Sequence, residues 1–167
     1  MLENLKQQLL IMRTQLNPPP RYIIVHHSAT DGTLLSVNEY HRQKWSFKSS
    51  LGWYAGYGYW IDFDGRITQL RDDREEQAAT IGFNKCSINI CCRGNLDIEQ
   101  PSAVQIKALN GLISKKQLEY KIPNNNILGH REIANTLCPG KYLFNWLCKN
   151  YPSSGFSGRI KDDMRDV

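Results

Sequence analysis

Two regions of the chain hold residue types that bind metals and move protons. His26 and His27 stand together in Ile24-Val25-His26-His27-Ser28. About a hundred residues later, His130 and Cys138 stand eight positions apart in Leu128-Gly129-His130-Arg131-Glu132 and Thr136-Leu137-Cys138-Pro139-Gly140. Imidazole and thiolate are both good zinc ligands, and three protein ligands with a fourth position open is the arrangement of a catalytic zinc. No compact zinc finger has this spacing, so the pattern by itself leaves metal binding undecided. Tyr57 lies in the aromatic run Trp53 to Trp60, where pattern alone reads as core.

These residues must be positioned by the elements around them. Arg21 to His26 is dense in β-branched and aromatic residues over a short length, as a buried strand requires. Adjacent strand residues face opposite ways, so only one of the two histidines at its end can enter a given site. Ser36-Val37-Asn38-Glu39 has the form of a capping box, predicting a helix from about Val37 to Trp45. Asp64-Gly65, between aromatic and β-branched runs, predicts a hairpin whose returning strand is Arg66 to Leu70. Ser87 to Cys92 reads as another short apolar strand. Ser102 to Gln105 is a second capping box, opening a helix to Tyr120 with Ile106, Leu109, Leu112 and Ile113 at helical spacing. A short strand at Ile127 to His130 and a helix from Lys141 to Cys148 complete the pattern.

At 167 residues there is room for one domain with small extensions. The ends read separately: residues 1–20 as an amphipathic helix striped with Leu2, Leu5, Leu9, Met12 and Leu16 plus a proline linker, and residues 151–167 as a loosely ordered tail. Between them, 21–150 is expected to be one α/β domain, a central mixed β-sheet flanked by helices. With 41% hydrophobic and 22% charged residues, collagen-like and wholly disordered readings are excluded. The longest purely apolar run, Leu9 to Met12, is far short of a membrane span or a signal-peptide core. A net charge of +5 favours anionic partners. The positive charges are dispersed from Arg13 through Lys48 and Lys115-Lys116 to Arg165, with no basic stripe, so nucleic acid is not expected. Five cysteines, an odd number, argue against a complete disulfide framework, and all but Cys138 read as buried small hydrophobes.

Taken together, the segments from about Tyr22 to Trp146 resemble the zinc N-acetylmuramoyl-L-alanine amidases, the family shared by bacteriophage lysozyme-type amidases and peptidoglycan recognition proteins. Four ordered matches carry the resemblance: Ile24 to Thr30, Gly56 to Ile61 with Asp64-Gly65 following, Gly82 to Ile90, and Gly129 to Gly140. It implies one zinc ion held by His26, His130 and Cys138, with Tyr57 and Thr136 assisting catalysis and Asn84 on a substrate loop. The implied reaction is hydrolysis of the amide between N-acetylmuramic acid and L-alanine in bacterial peptidoglycan. The alternative is a peptidoglycan-binding module without turnover. In the absence of a leader, the expectation is a monomer made in the cytoplasm and acting on the wall after release, as a phage or prophage endolysin does.

Three positions bear on that transfer. Thr136 stands where members carry either lysine or threonine. Ala79 replaces a common histidine. Asn89 replaces a usual glycine within a predicted strand, a change expected to bear on packing.

Overall fold

The computed structural model describes residues 17–152. The leucine-striped segment 1–16 and the tail beyond residue 152, for which the sequence predicts a helix and loose order, lie outside the described residues. Five strands form one mixed sheet: β1 (Tyr22–His27), β2 (Tyr59–Ile61), β3 (Ile67–Gln69), β4 (Ser87–Cys92) and β5 (Ile127–Gly129). Their spatial order is β3-β2-β4-β1-β5, with only the β2-β3 hairpin antiparallel. Among the described residues three α-helices accompany the sheet: α1 (Leu34–Trp45), α2 (Ala103–Tyr120) and α3 (Lys141–Asn150). The expected α/β class and mixed sheet are therefore present. Among the described residues no helix is long and apolar enough to cross a membrane.

The central strands β1 and β4 are buried along their whole length, as expected of parallel strands covered on both faces. Ile23 and Val25 of β1 join Ile88, Ile90 and Cys92 of β4 in the larger core, under Leu109 and Ile113 of α2 and Leu143 and Leu147 of α3. On the other face Ile24 packs with Tyr22, Phe83 and Leu128, while Cys91 packs with Ala55, Trp60 and Leu70 beneath Leu34 and Val37 of α1. That second face carries the site, because His26 follows Ile24 by two residues and shares its side of the strand.

Helix boundaries show how caps compete. Helix α1 starts three residues earlier than Ser36 predicts: Thr33 is its N-cap and accepts from the Ser36 amide, while the Ser36 hydroxyl donates back to the Thr33 carbonyl. Glu39 is thereby released to an ion pair with Arg42. For α2 the expected cap is present, since Ser102 accepts from the Gln105 amide. Gln105 does not close the box, however. Its side chain is buried and donates to the carbonyls of Ile61 and Arg93, tying helix to sheet. The cysteines divide differently from expectation: Cys91 and Cys92 are buried, Cys86 is half-buried, and Cys148 is exposed, because α3 turns Leu143 and Leu147 inward instead.

A buried polar knot anchors α2 to the loop after β3. The Asp73 carboxylate accepts from the Tyr59 hydroxyl at 2.7 Å, Lys116 Nζ at 2.5 Å and the Tyr120 hydroxyl at 2.9 Å. Lys116 and Asp73 side chains are both 7% exposed. Removing one partner of such a pair leaves a charge with poor solvation, so Asp73→Ala is expected to lower unfolding free energy by about 3 kcal/mol in urea titration. Lys116 keeps Glu119 as a partner at 2.9 Å, which sets that figure at the low end for a broken buried pair.

Candidate metal centre

The two adjacent histidines part as strand geometry requires. His27 turns toward the larger core, where its Nδ1 accepts the Leu96 amide at 3.0 Å. His26 turns to the opposite face and meets His130, the first residue after β5, and Cys138. Strands β1 and β5 are hydrogen-bonded neighbours running the same way, so their C-terminal ends bring side chains from distant sequence together. One donor atom from each of His26, His130 and Cys138 lies within 4.8 Å of the other two. The rings of His26 and His130 are 4.5 Å apart, and Cys138 Sγ is 3.5 Å from His26 Nδ1.

The loop carrying Cys138 is held by its own backbone. The Arg131 amide donates to the Cys138 carbonyl at 2.8 Å, and Ala134 and Thr136 amides close turns inside the loop. Gly140, at φ +84°, ends it against β4's exit: a Cβ there would lie 2.3 Å from the Leu96 carbonyl carbon. The Thr136 hydroxyl oxygen accepts the Cys138 amide at 3.2 Å, which leaves its O–H free to donate elsewhere.

Electrostatics follow from burial. His26 is held down to about 3, chiefly by burial and then by the His130 ring beside it. Burial likewise lowers His130. Cys138 is pushed up to about 12 by burial, offset in part by the His27 carbonyl contact and Arg131. Without a cation the centre thus holds two neutral imidazoles and a thiol. These are the donors a zinc ion takes, with the thiol ionising only when a metal binds. The 3.5 Å separation of Nδ1 and Sγ also equals the roughly 3.5 Å that tetrahedral bonds of about 2.0 and 2.3 Å subtend. The residues present fit the metal.

Tyr57 stands beside them, its ring 5.3 Å from that of His26. Burial, then the Cys91 and Cys138 thiols, raise its pKa, so the phenol stays protonated and is a hydrogen-bond donor. The backbone that brings it there passes close to loop 77–84. Gly56 has no room for a side chain, because a Cβ would lie 2.3 Å from the Ala78 carbonyl oxygen.

An open cleft of about 810 Å³ lies over the centre. Ala78 to Ile81 and Asn84 line it from one loop, and Ile133, Ala134, Thr136 and Leu137 from another. His41, Trp45 and Tyr57 line it too, and the same three also line a second hollow along α1. The cleft has no Asp, Glu, Lys or Arg among its described lining residues. Asn84 lies at the cleft, but its Oδ1 accepts the Ala79 and Thr80 amides, so its carbonyl is spent on shaping the loop. Ala79, where the resemblance leads one to expect a histidine, presents only a methyl group to the cleft.

Two contributions are not legible in the sequence. In the aromatic run around Tyr57, Tyr59 and Trp60 are core residues, 5% and 1% exposed. The accessible aromatic at the cleft is Trp45, 44% exposed, whose ring lies 4.5 Å from that of His41 one helical turn earlier. His41 Nδ1 accepts the Gly56 amide, so its neutral ring carries its proton on Nε2. The second is Asn89. Expected to bear on packing, it accepts a hydrogen bond from His26 Nε2 at 2.8 Å.

Comparison with known proteins points the same way. The sequence profile described as N-acetylmuramoyl-L-alanine amidase matches residues 16–141. The chain is 30% identical over 135 residues to peptidoglycan-recognition protein SC1a of Drosophila melanogaster, covering 74% of this chain and 70% of that one. It is 26% identical over 141 residues to human peptidoglycan recognition protein 3, covering 78% of this chain but 40% of that longer protein. Among solved structures it superposes on the N-acetylmuramoyl-L-alanine amidase LysC from Clostridium intestinale with a TM-score of 0.68 and 25% identity, covering 78% of this chain and 84% of LysC. A profile spanning most of the chain, a shared sheet and helices, and a converged His-His-Cys cluster agree: this chain belongs to the N-acetylmuramoyl-L-alanine amidase family.

Proposed function

We propose that this protein is a zinc-dependent amidase that hydrolyses the bond between the lactyl group of N-acetylmuramic acid and L-alanine in bacterial peptidoglycan, acting as a wall-lytic endolysin with residues 21–150 as the catalytic unit. The observation that supports it best is the convergence of His26, His130 and Cys138 beneath an open cleft, with the protonated Tyr57 adjacent. Amides resist water because water is a weak nucleophile and the tetrahedral oxyanion is unstable. When bound, zinc supplies Lewis acidity, polarising a carbonyl and making water acidic enough to deprotonate near neutral pH.

The chain's own residues supply the rest. His26 and His130 offer unprotonated nitrogens without having to lose protons first, because burial keeps both rings neutral. Tyr57 donates its phenolic hydrogen to the oxygen that gains charge, and Thr136 donates the hydroxyl hydrogen that its contact with the Cys138 amide leaves free. Small aliphatic walls at Ala78, Ala79, Ile133 and Ala134 suit the methyl groups of lactate and alanine. The amide joins a sugar to a peptide, so substrate must leave the centre in two directions. Trp45 and His41, an aromatic plane and an N–H donor, suit the sugar direction. Trp45→Ala is accordingly expected to raise KM for wall fragments about tenfold, or about 1.4 kcal/mol, with kcat nearly unchanged in steady-state assays.

Digestion of purified cell wall tests the whole reading. New L-alanine amino termini should appear and should cease when a chelator removes metal. Reducing sugar ends without new amines would identify a glycosidase instead. Wall binding by zinc-loaded protein without any cleavage would identify a binding module.

A further inference from the structure

We propose that Asn89 is a positioning residue for the metal centre, fixing the ring proton of His26 on Nε2 so that Nδ1 alone faces Cys138 and the ion. The inference rests on the reading of His26 as a metal ligand. An imidazole coordinates only through an unprotonated nitrogen, and which nitrogen that is depends on the hydrogen bond made by the other. Around His26 that choice is determined by a chain of hydroxyls and amides whose donors and acceptors can be assigned one by one.

Asn89 is fully buried on β4, paired with Ile24 of β1, and so lies on the same face as His26. The Ser87 hydroxyl gives its single hydrogen to the Phe83 carbonyl at 2.7 Å. It can therefore only accept at its 3.0 Å contact with Asn89, so the Asn89 atom facing it is Nδ2. The second hydrogen of Nδ2 goes to Gln77 Oε1 at 3.0 Å, an oxygen that also takes the Asn89 backbone amide at 2.9 Å. Oδ1 is thereby turned toward His26. The Thr80 hydroxyl spends its one hydrogen on that same Oδ1 at 2.8 Å, so at 3.3 Å from His26 Nε2 it too is an acceptor. Two acceptors converge on Nε2 and neither has a hydrogen to offer it. Nε2 must carry the proton, and Nδ1 keeps its lone pair. The ring is held in its coordinating tautomer before any metal arrives.

Thr80 gives this arrangement a second attachment. It lines the cleft, and its loop is braced by Asn84. One carboxamide oxygen thus joins the metal ligand to the cleft wall.

Two measurements test the proposal without recourse to amidase activity. In zinc-free wild-type protein, nitrogen-15 NMR of the His26 ring should show the Nε2–H tautomer; an Nδ1–H ring would overturn the assignment. Zinc affinity, from competition with a chromophoric chelator, should fall about 10- to 100-fold in Asn89→Ala. Asn89→Asp keeps an acceptor at Nε2 and places a negative charge behind a ring that would hold a cation. It is expected to hold zinc at least as tightly as the wild type. Being isosteric, it also provides a reading if the alanine variant does not fold. Wild-type affinity in Asn89→Ala, or a loss in Asn89→Asp as large as that in Asn89→Ala, would overturn the proposal. Wild-type protein that binds no zinc would instead remove the metal reading itself, while the tautomer measurement would still stand.

Discussion

Cys138→Ala is expected to yield folded protein that retains less than a tenth of an equivalent of zinc after dialysis and releases no measurable stem peptide from cell wall. On the proposed reading three ligands would hold the ion, and the lost one would be the only anion among them. Two neutral imidazoles hold zinc poorly and leave the positive charge uncompensated. Elemental analysis of the purified variant reads the metal directly, and wall digestion followed by amine detection reads the consequence. His26→Ala should behave the same way. His27→Ala provides the contrast: its ring serves the Leu96 amide on the far side of β1, so the variant should keep its zinc and lose about 1–2 kcal/mol of stability from the orphaned amide. Equal zinc loss on changing His27 would mean that the wrong member of the pair has been assigned.

For Tyr57→Phe we expect kcat to fall about 100-fold with zinc content unchanged and KM within about twofold. The substitution preserves the ring that packs near His26 and His41 and removes only the hydroxyl. A donor that acts on charge developing during reaction affects the rate and spares ground-state binding, whereas loss of a packing residue would lower stability and leave kcat alone. A wild-type kcat in the phenylalanine variant would place Tyr57 with the core residues that its sequence neighbourhood suggests.

Local rules are sufficient where the chain's own periodicity decides. The two-residue repeat of Tyr22, Ile24 and His26 against Ile23, Val25 and His27 separates the histidines, and β1 does so in three dimensions. The spacing of Leu109, Leu112 and Ile113 likewise locates the buried face of α2. They are insufficient where two local solutions compete or where the partner is remote. Thr33 and Ser36 can each cap α1, and the helix that Thr33 caps packs Leu34 and Val37 against Ala55, Trp60, Leu70 and Cys91, residues remote in sequence. Asn89 reads as packing because its role depends on Ser87, Gln77 and Thr80, and on a histidine 63 positions away. Trp45 and His41 look like an ordinary helix end until β2's approach puts Tyr57 beside them. Tyr59 and Trp60, by contrast, read as core from their aromatic run and are core, on a strand buried along its length.

The neighbouring placement of β1 and β5 has a consequence for assembly. Their pairing matches Ile23 with Ile127 and Val25 with Gly129, and the two imidazoles extend from the ends of that ladder. A slip of one residue in either strand would reverse the faces and send His26 away from its partners. An ion held by His26, His130 and Cys138 would therefore grip only a correctly zipped molecule and act as a proofreader of the sheet. Misaligned chains would gain nothing from it, whereas at a concentration one hundred times its dissociation constant the correct form would gain about 2.7 kcal/mol.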